Sequence, residues 1–299
     1  MSSPLSDHSK GLLLTAIGGL VLTVDIPLIK LANGDAWSIL LLRSASTLIA
    51  TAIFWLIWRA VSSNAPVLVP GKAGLAVTAL YGIGSICFLS AVYHTSTANL
   101  VFLLTFNTMF AAVLSWIFLK ERPRPATLAA MAAMLVGIVI IIGDGIAAGN
   151  FFGDFLALCS SFCIASAITI TRATGRDMGF AALVAVVLPC SVALLMVGQG
   201  GFRVEAPWWI IFNGAIVMPV AFYCLATGPK YISGPEVAMF YLLETVLAPV
   251  WVWIIFAETP SDRSLVGGAI LTTALLAHSL WQLHQGRRRR AALAVRHAP

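Results

Sequence analysis

The sequence predicts an all-α integral membrane protein of ten transmembrane helices, arranged as two inverted five-helix repeats. Three observations predict it. Hydrophobic residues make up 60% of the 299 and charged residues only 10%, whereas a water-soluble chain carries about a quarter charged residues. So few charges cannot coat a water-facing surface, so lipid must be the solvent for most of the chain. In lipid the backbone N–H and C=O groups must pair inside the protein, which leaves helices or closed barrels. The second observation is that the apolar runs are about 20 residues long, the length of a membrane helix rather than of a barrel strand. The third is a stretch of sequence that recurs at a fixed offset.

The spans follow in order. The first, near 11–30, follows a short polar start (Ser2 to Lys10). It is too long for the core of a typical signal peptide and is expected to stay in the protein. Asn33-Gly34-Asp35 then breaks the pattern before a span at 37–58. Pro66 and Pro70-Gly71-Lys72 precede the span at 73–93, which is followed closely by 97–119. Lys120 to Pro125 separates that span from 125–143, and Asp144 to Gly153 leads into 152–173. Spans at 180–198, 207–228 and 234–256 follow, and Pro260 to Arg263 opens the last, at 264–283. The connections are short, so no soluble domain is inserted. The expected units are residues 10–145, residues 150–285 and a basic tail, 286–299. The five cysteines all lie within apolar runs, and no metal set accompanies Cys159 and Cys163. No metal, cofactor or disulfide framework is expected.

Orientation follows from the basic residues in alternate connections. One side receives Lys10, Arg59, Lys72, Lys120, Arg122, Arg124, Arg172, Arg176, Lys230, Arg287 to Arg290 and Arg296; the other receives Lys30, Arg203 and Arg263. This bias places both termini in the cytoplasm of a cell whose inner membrane the chain crosses, and it requires an even number of spans. The arginine run suits the anionic inner leaflet rather than nucleic acid.

The recurring stretch reads Leu104-Thr105-Phe106-Asn107-Thr108 with an exit at Glu121-Arg122-Pro123, then Tyr241-Leu242-Leu243-Glu244-Thr245 with an exit at Glu258-Thr259-Pro260. An offset of 137 superimposes Glu121 on Glu258, Pro123 on Pro260 and Cys87 on Cys224. Each half then holds five spans, and an odd number inverts the second half relative to the first, a recurrent design of secondary transporters. Pro125 to Ile142 after the Glu121-Arg122 exit, and Leu243-Glu244-Thr245-Val246-Leu247-Ala248-Pro249 running to Glu258, resemble the EamA branch of the drug/metabolite transporter superfamily. The resemblance spans roughly residues 10 to 285. It implies ten helices and passive or proton-coupled movement of metabolites, often export. It departs from the family at Thr108, where a proline is usual; Pro249 lies four residues beyond the corresponding Thr245, which leaves open which of the fourth and ninth spans is bent.

Polar groups in lipid are costly and need a partner or a cavity. Glu244 lies about 10 residues into the ninth span, roughly 15 Å deep and near the midplane. Asn107, its repeat-mate, lies at a similar depth. Glu244 reads either as a ligand for a substrate amine, as a proton carrier, or as a structural carboxyl bonded to a neighbouring helix. Asp25 and Arg43 both sit about 8–9 Å below the outer boundary and form a candidate pair across the first hairpin, structural or gating, with Pro27 allowing the first span to bend. Tyr81, Phe106, Tyr223 and Tyr241 are the aromatic residues placed to line a cavity, packing being the alternative for each. Glu236 reads as a helix-start carboxylate after Pro235. Ala129, Ala133 and Gly137, with Gly267 and Gly268, allow close helix approach as scaffold or in a homodimer through the fifth and tenth spans.

No HExxH pattern, G-x-S-x-G elbow or P-loop appears, which argues against an intramembrane enzyme or a nucleotide-driven pump. The expected function is secondary transport of small metabolites, with export of amino acids or related amphipathic compounds by alternating access. A channel, a receptor or an intramembrane enzyme is the alternative.

Overall fold

A computed structural model of the chain describes residues 7–61, 67–175, 178–227, 231–232 and 234–296. Arg176 and Lys230 of the charge pattern lie outside these residues, as do the side chains of Glu236 and of Arg287 to Arg290. The first span is α1 (Asp7–Leu22) with α2 (Asp25–Leu31), the second α3 (Ala36–Val61) and the third α4 (Gly71–His94). The fourth is α5 (Thr97–Leu104) with α6 (Asn107–Leu119), the fifth α7 (Pro125–Ala148) and the sixth α8 (Phe151–Thr174). The seventh is α9 (Gly179–Val184) with α10 (Val187–Gly200). The eighth joins α11 (Pro207–Phe212) to α12 (Met218–Thr227) through a π-helical turn, Asn213–Val217. The ninth is α13 (Gly234–Phe256) and the tenth begins α14 (Asp262–Arg296). Among the described residues nine stretches are long and apolar enough to cross a membrane. α13, at 23 residues, brings the spans to ten. The basic tail continues α14 rather than forming a separate segment.

The interruptions have local causes. A proline lacks an N–H, and its ring crowds the carbonyl four residues earlier. Pro27 accordingly breaks the first span at Thr23–Val24, and Pro189 breaks the seventh at Ala185–Val186. The fourth span breaks at Thr105–Phe106 with no proline nearby. There the Thr105 hydroxyl donates to the Phe102 carbonyl at 2.7 Å and Thr108 donates to the Thr105 carbonyl at 3.0 Å. Such back-bonding competes with the helix ladder and bends it. The ninth span stays helical through Pro249. Of the two repeat-related spans, then, the one without the proline is the broken one.

Polarity is distributed inside out. Ile49, Ile53, Leu56 and Ile57 of α3, and Leu135, Val136 and Val139 of α7, face outward. Asp25, Arg43, Thr47, Asn99, Asp154 and Asn213 are buried. This suits a lipid solvent, in which apolar surface costs nothing and polar groups gain by meeting across helices. α4 lies along α8, α1 along α12, α3 along α10, and α7 along α14. In the last pair a Cβ on Gly137 would fall 2.8 Å from the Gly267 carbonyl oxygen, and the reverse holds equally. Gly137 and Gly267 are therefore used for contact within the chain, and Gly268 meets Phe102.

The chain reverses in the same way at two places. α6 ends at Leu119 and α7 starts at Pro125; α13 ends at Phe256 and α14 starts at Asp262. Each pair of boundaries is 137 residues apart. At both ends the next residue, Lys120 or Ala257, is left-handed, with φ of 57° and 53°. A non-glycine residue in that conformation costs roughly 1–2 kcal/mol. The exit glutamates Glu121 and Glu258 follow directly.

Candidate functional site

The break before Pro27 starts α2 at Asp25, which places its carboxylate inside the bundle. Asp25 is 2% exposed and Arg43 6%. Arg43 Nη2 donates to Asp25 Oδ2 at 2.7 Å and to Oδ1 at 3.0 Å. Asn213, fully buried, closes a triangle with them. Its Nδ2 donates to Asp25 Oδ1 at 2.7 Å, and its Oδ1 accepts from Arg43 Nε at 3.2 Å. The guanidinium also lies 5.5 Å from the centre of the Phe88 ring and 3.1 Å from the Met218 sulfur. The π-helical turn presents Asn213 here, and Pro219 behind it cannot donate to the ladder. Gly214 allows the approach: a Cβ there would lie 2.4 Å from the Arg43 carbonyl oxygen. One residue of positive charge, one of negative charge and an amide thus satisfy each other from three spans.

Beside this triangle lies the polar interior. Glu244, on α13, is half-buried and within electrostatic range of both Asp25 and Arg43. Tyr241, three residues earlier on the same helix, is within range of Glu244 and of Tyr81 on α4. Tyr241 keeps 42% of its surface open. No ion pair to Glu244 is formed among the described residues. Trp251, two turns along α13, donates from Nε1 to Thr23 Oγ1 at 3.2 Å, at the break in the first span.

The other predicted residues sit as follows. Asn107 opens α6 directly after the break in the fourth span and is half-buried. Phe106 is 4% exposed and packs edge-on against Phe110 at 4.9 Å, within the core. Tyr223 lies further along the eighth span in an aromatic group with Phe54, 5.7 Å away, and Phe180. Asp25 and Arg43, and Tyr81, Tyr241 and Glu244, are thus brought into one region; Phe106 and Tyr223 belong to other contacts.

At one end of the bundle the connections are stitched together. Gly34 and Val204 form an antiparallel bridge. Asp35 N donates to the Arg203 carbonyl at 3.1 Å, and Glu205 N to the Asn33 carbonyl at 3.0 Å. Lys30, at the end of α2, pairs with Glu258. The second oxygen of Glu258 accepts the backbone N–H of Thr97 at 2.8 Å, at the start of α5. At the opposite end Arg172 of α8 pairs with Glu121 at 2.8 Å. Sequence reasoning missed Asn213 and the two glutamate pairs. Asn213 carried a usable signal: it is an amide alone in an apolar run, the same feature that marks Asn107.

The EamA-like transporter family matches this chain twice, over residues 9–143 and 151–280. The chain is similar to the pseudopaline exporter CntI of Pseudomonas aeruginosa, with 21% identity over 90% of this chain and 95% of that protein. It is 26% identical to an uncharacterized transporter of Archaeoglobus fulgidus, over 68% of this chain and 74% of that one. A protein of known crystal structure superimposes with a TM-score of 0.64 and 18% identity, covering 91% of this chain and 97% of that one, which bears on the fold alone. With both matches together spanning most of its length, the chain belongs to the EamA-like transporter family.

Proposed function

We propose that this transporter is a secondary carrier in the inner membrane that exports small cationic or amphipathic amine metabolites, amino acids included, by alternating access. The observation that carries this reading is Glu244, a half-buried carboxyl with no ion pair among the described residues, within electrostatic range of Tyr241 and of the Asp25–Arg43 pair. A carboxyl and tyrosine rings thus adjoin a charge pair that is already internally satisfied. The Arg43 charge is balanced by Asp25 at 2.7 Å, which weakens its pull on a substrate carboxylate. Glu244 is the ionisable group left to meet an amine or to carry a proton. Tyrosine faces suit an amine by cation–π attraction.

Two five-helix units, residues 10–145 and 150–285, related by inversion, are the frame for this mechanism. Several features support it. The helix boundaries and left-handed residues recur 137 apart. α4 packs on α8 as its mate α12 packs on α1. Glu121–Arg172 and Glu258–Lys30 join repeat-related spans at opposite ends. The charge asymmetry of the connections supports a cytoplasmic Glu121 end, together with both termini. The similarity to a protein named as an exporter supports the outward direction.

The test is counterflow in proteoliposomes preloaded with amino acids, nucleosides and amphipathic cations, followed by mass spectrometry with and without a pH gradient. Selective, saturable depletion of amines that is lost in Glu244→Gln is expected. Depletion of anionic or neutral compounds instead would overturn the substrate class, and ohmic currents would turn the reading to a channel.

A further inference from the structure

A cavity of about 440 Å³ opens at the Glu121 end between α6, α7, α8 and α14. Neither Glu244 nor any residue of the triangle around Arg43 lines it. Arg122, Arg124, Arg172, Glu121, Trp281 and Gln282 line it. Three guanidinium groups against one carboxylate leave an excess of positive charge. Arg124 lies over the Trp281 ring at 5.8 Å. Arg172 spends one N–H on Ser115 Oγ, at 3.1 Å, and one on Glu121. Arginine carries five donors, so most of its donors are left for another acceptor. Arg122 forms no ion pair among the described residues.

The cavity's depth is as informative as its charge. Ala112 in its wall lies seven residues before the end of α6, roughly 10 Å below the helix end. Beside its mouth Trp116, Ile117 and Phe118 of α6 and Leu280 of α14 turn large apolar side chains outward. Tryptophan at such a level is the usual marker of the boundary between headgroups and acyl chains. A basic pocket set at headgroup depth, with apolar side chains flanking it, has two parts: arginines for a phosphate and a wall for a hydrocarbon tail. Arginine forks match phosphate oxygens in pairs, which a mobile surface lysine does not.

The geometry points to a binding site for the phosphodiester headgroup of an anionic phospholipid in the cytoplasmic leaflet. This rests on the charge-based orientation above and not on the identity of any transported substrate. A phosphate there lies beside the Arg172–Glu121 pair and competes with Glu121 for the guanidinium, so lipid composition and the ion pair at this end are coupled.

The test is native mass spectrometry of the detergent-purified full chain titrated with phosphatidylglycerol or phosphatidylcholine. The variants R122Q/R124Q and R122K/R124K are compared with the unaltered protein. All three keep the tail arginines, so attraction by the tail cancels in the comparison. One phosphatidylglycerol should be retained in preference to phosphatidylcholine. Its affinity should fall about thirtyfold in R122Q/R124Q and far less in R122K/R124K. Equal melting temperatures in lipid-free micelles would show that all three are folded. Should the glutamine variant misfold, R122Q alone gives the comparison, with a smaller expected drop. Equal retention of the two lipids, or unchanged affinity in the folded glutamine variant, would overturn the proposal. So would complete displacement of phosphatidylglycerol by millimolar inorganic phosphate, which would make this a site for soluble anions.

Discussion

Neutralising either end of the Asp25–Arg43 pair tests how the interior holds its charges. The carboxylate and guanidinium meet at 2.7 Å, both almost fully buried. At an effective dielectric of about 20, unit charges even 4 Å apart attract by about 4 kcal/mol. Desolvation offsets much of that in the intact pair, but removing one partner leaves the other buried and uncompensated, at about 3–5 kcal/mol. Asn213 softens both losses. In Asp25→Asn the guanidinium keeps its bond to Asn213 Oδ1 and the Phe88 face; in Arg43→Gln the carboxylate keeps the Asn213 amide. Each single change should therefore destabilise the protein by about 3 kcal/mol, the lower end of that range. The double change should cost less than the two together by about 2 kcal/mol, and the charge swap should recover part of the loss. The assay is equilibrium unfolding in mixed micelles titrated with a denaturing detergent. If the single effects simply add, the two side chains do not depend on each other and the account of the triangle fails.

Glu244→Gln should leave the melting temperature within a few degrees of the parent while lowering counterflow at least tenfold; wild-type flux in a folded variant would remove Glu244 from the mechanism. Asn213→Ala strips two buried groups of a hydrogen-bond partner and should cost about 1–3 kcal/mol in the same unfolding titration. An unchanged midpoint would mean that water or a shifted side chain replaces the amide. Gly214→Leu should destabilise more strongly than Asn213→Ala, because its side chain meets the Arg43 carbonyl rather than an open space. The comparison of the two midpoints checks this.

The spans were legible because their signal is summed over about 20 residues, and one or two polar side chains do not erase it. The bias of lysines and arginines behind the expected orientation is a pooled signal of the same kind. The break at Pro27 was legible from its proline. Pro189 causes the same break in the seventh span without having been singled out, and at Thr105 the cause is a hydroxyl choosing the carbonyl behind it. Pro249 shows the converse, a proline that the surrounding packing keeps within a helix. Asp25, Arg43 and Glu244 stood out in the sequence as charges in apolar runs. What they meet depends on helix rotation and on the extra residue of the π-helical turn, neither of which periodicity reports. Phe106 illustrates the limit: its place in the chain matched the interior, but the break at Thr105 turns its ring into the core.

The two exit glutamates carry the same local chemistry into different surroundings. Both follow a left-handed residue at the end of a span, and both pair with a cation at the end of another span, the first for Glu258 and the sixth for Glu121. The side chains of Glu121 and Arg172 are 54% and 52% exposed; those of Glu258 and Lys30 are 27% and 21% exposed. Exposed pairs of the first kind contribute about 0–1 kcal/mol, because water and salt screen them. The second pair is better shielded, and Glu258 also holds the start of α5 through the Thr97 N–H. Replacing Lys30 with methionine therefore removes a link between the first, fourth and ninth spans, whereas replacing Arg172 removes a screened pair. Under the proposed alternating access, in which these spans separate to release substrate outward, Lys30→Met should raise the labelling rate of a cysteine placed at Thr23 by a membrane-impermeant thiol reagent added from outside, by severalfold over an otherwise identical protein. Arg172→Met should leave that rate nearly unchanged. Equal effects of the two changes would mean that the Glu258 pair does not hold the outer end closed.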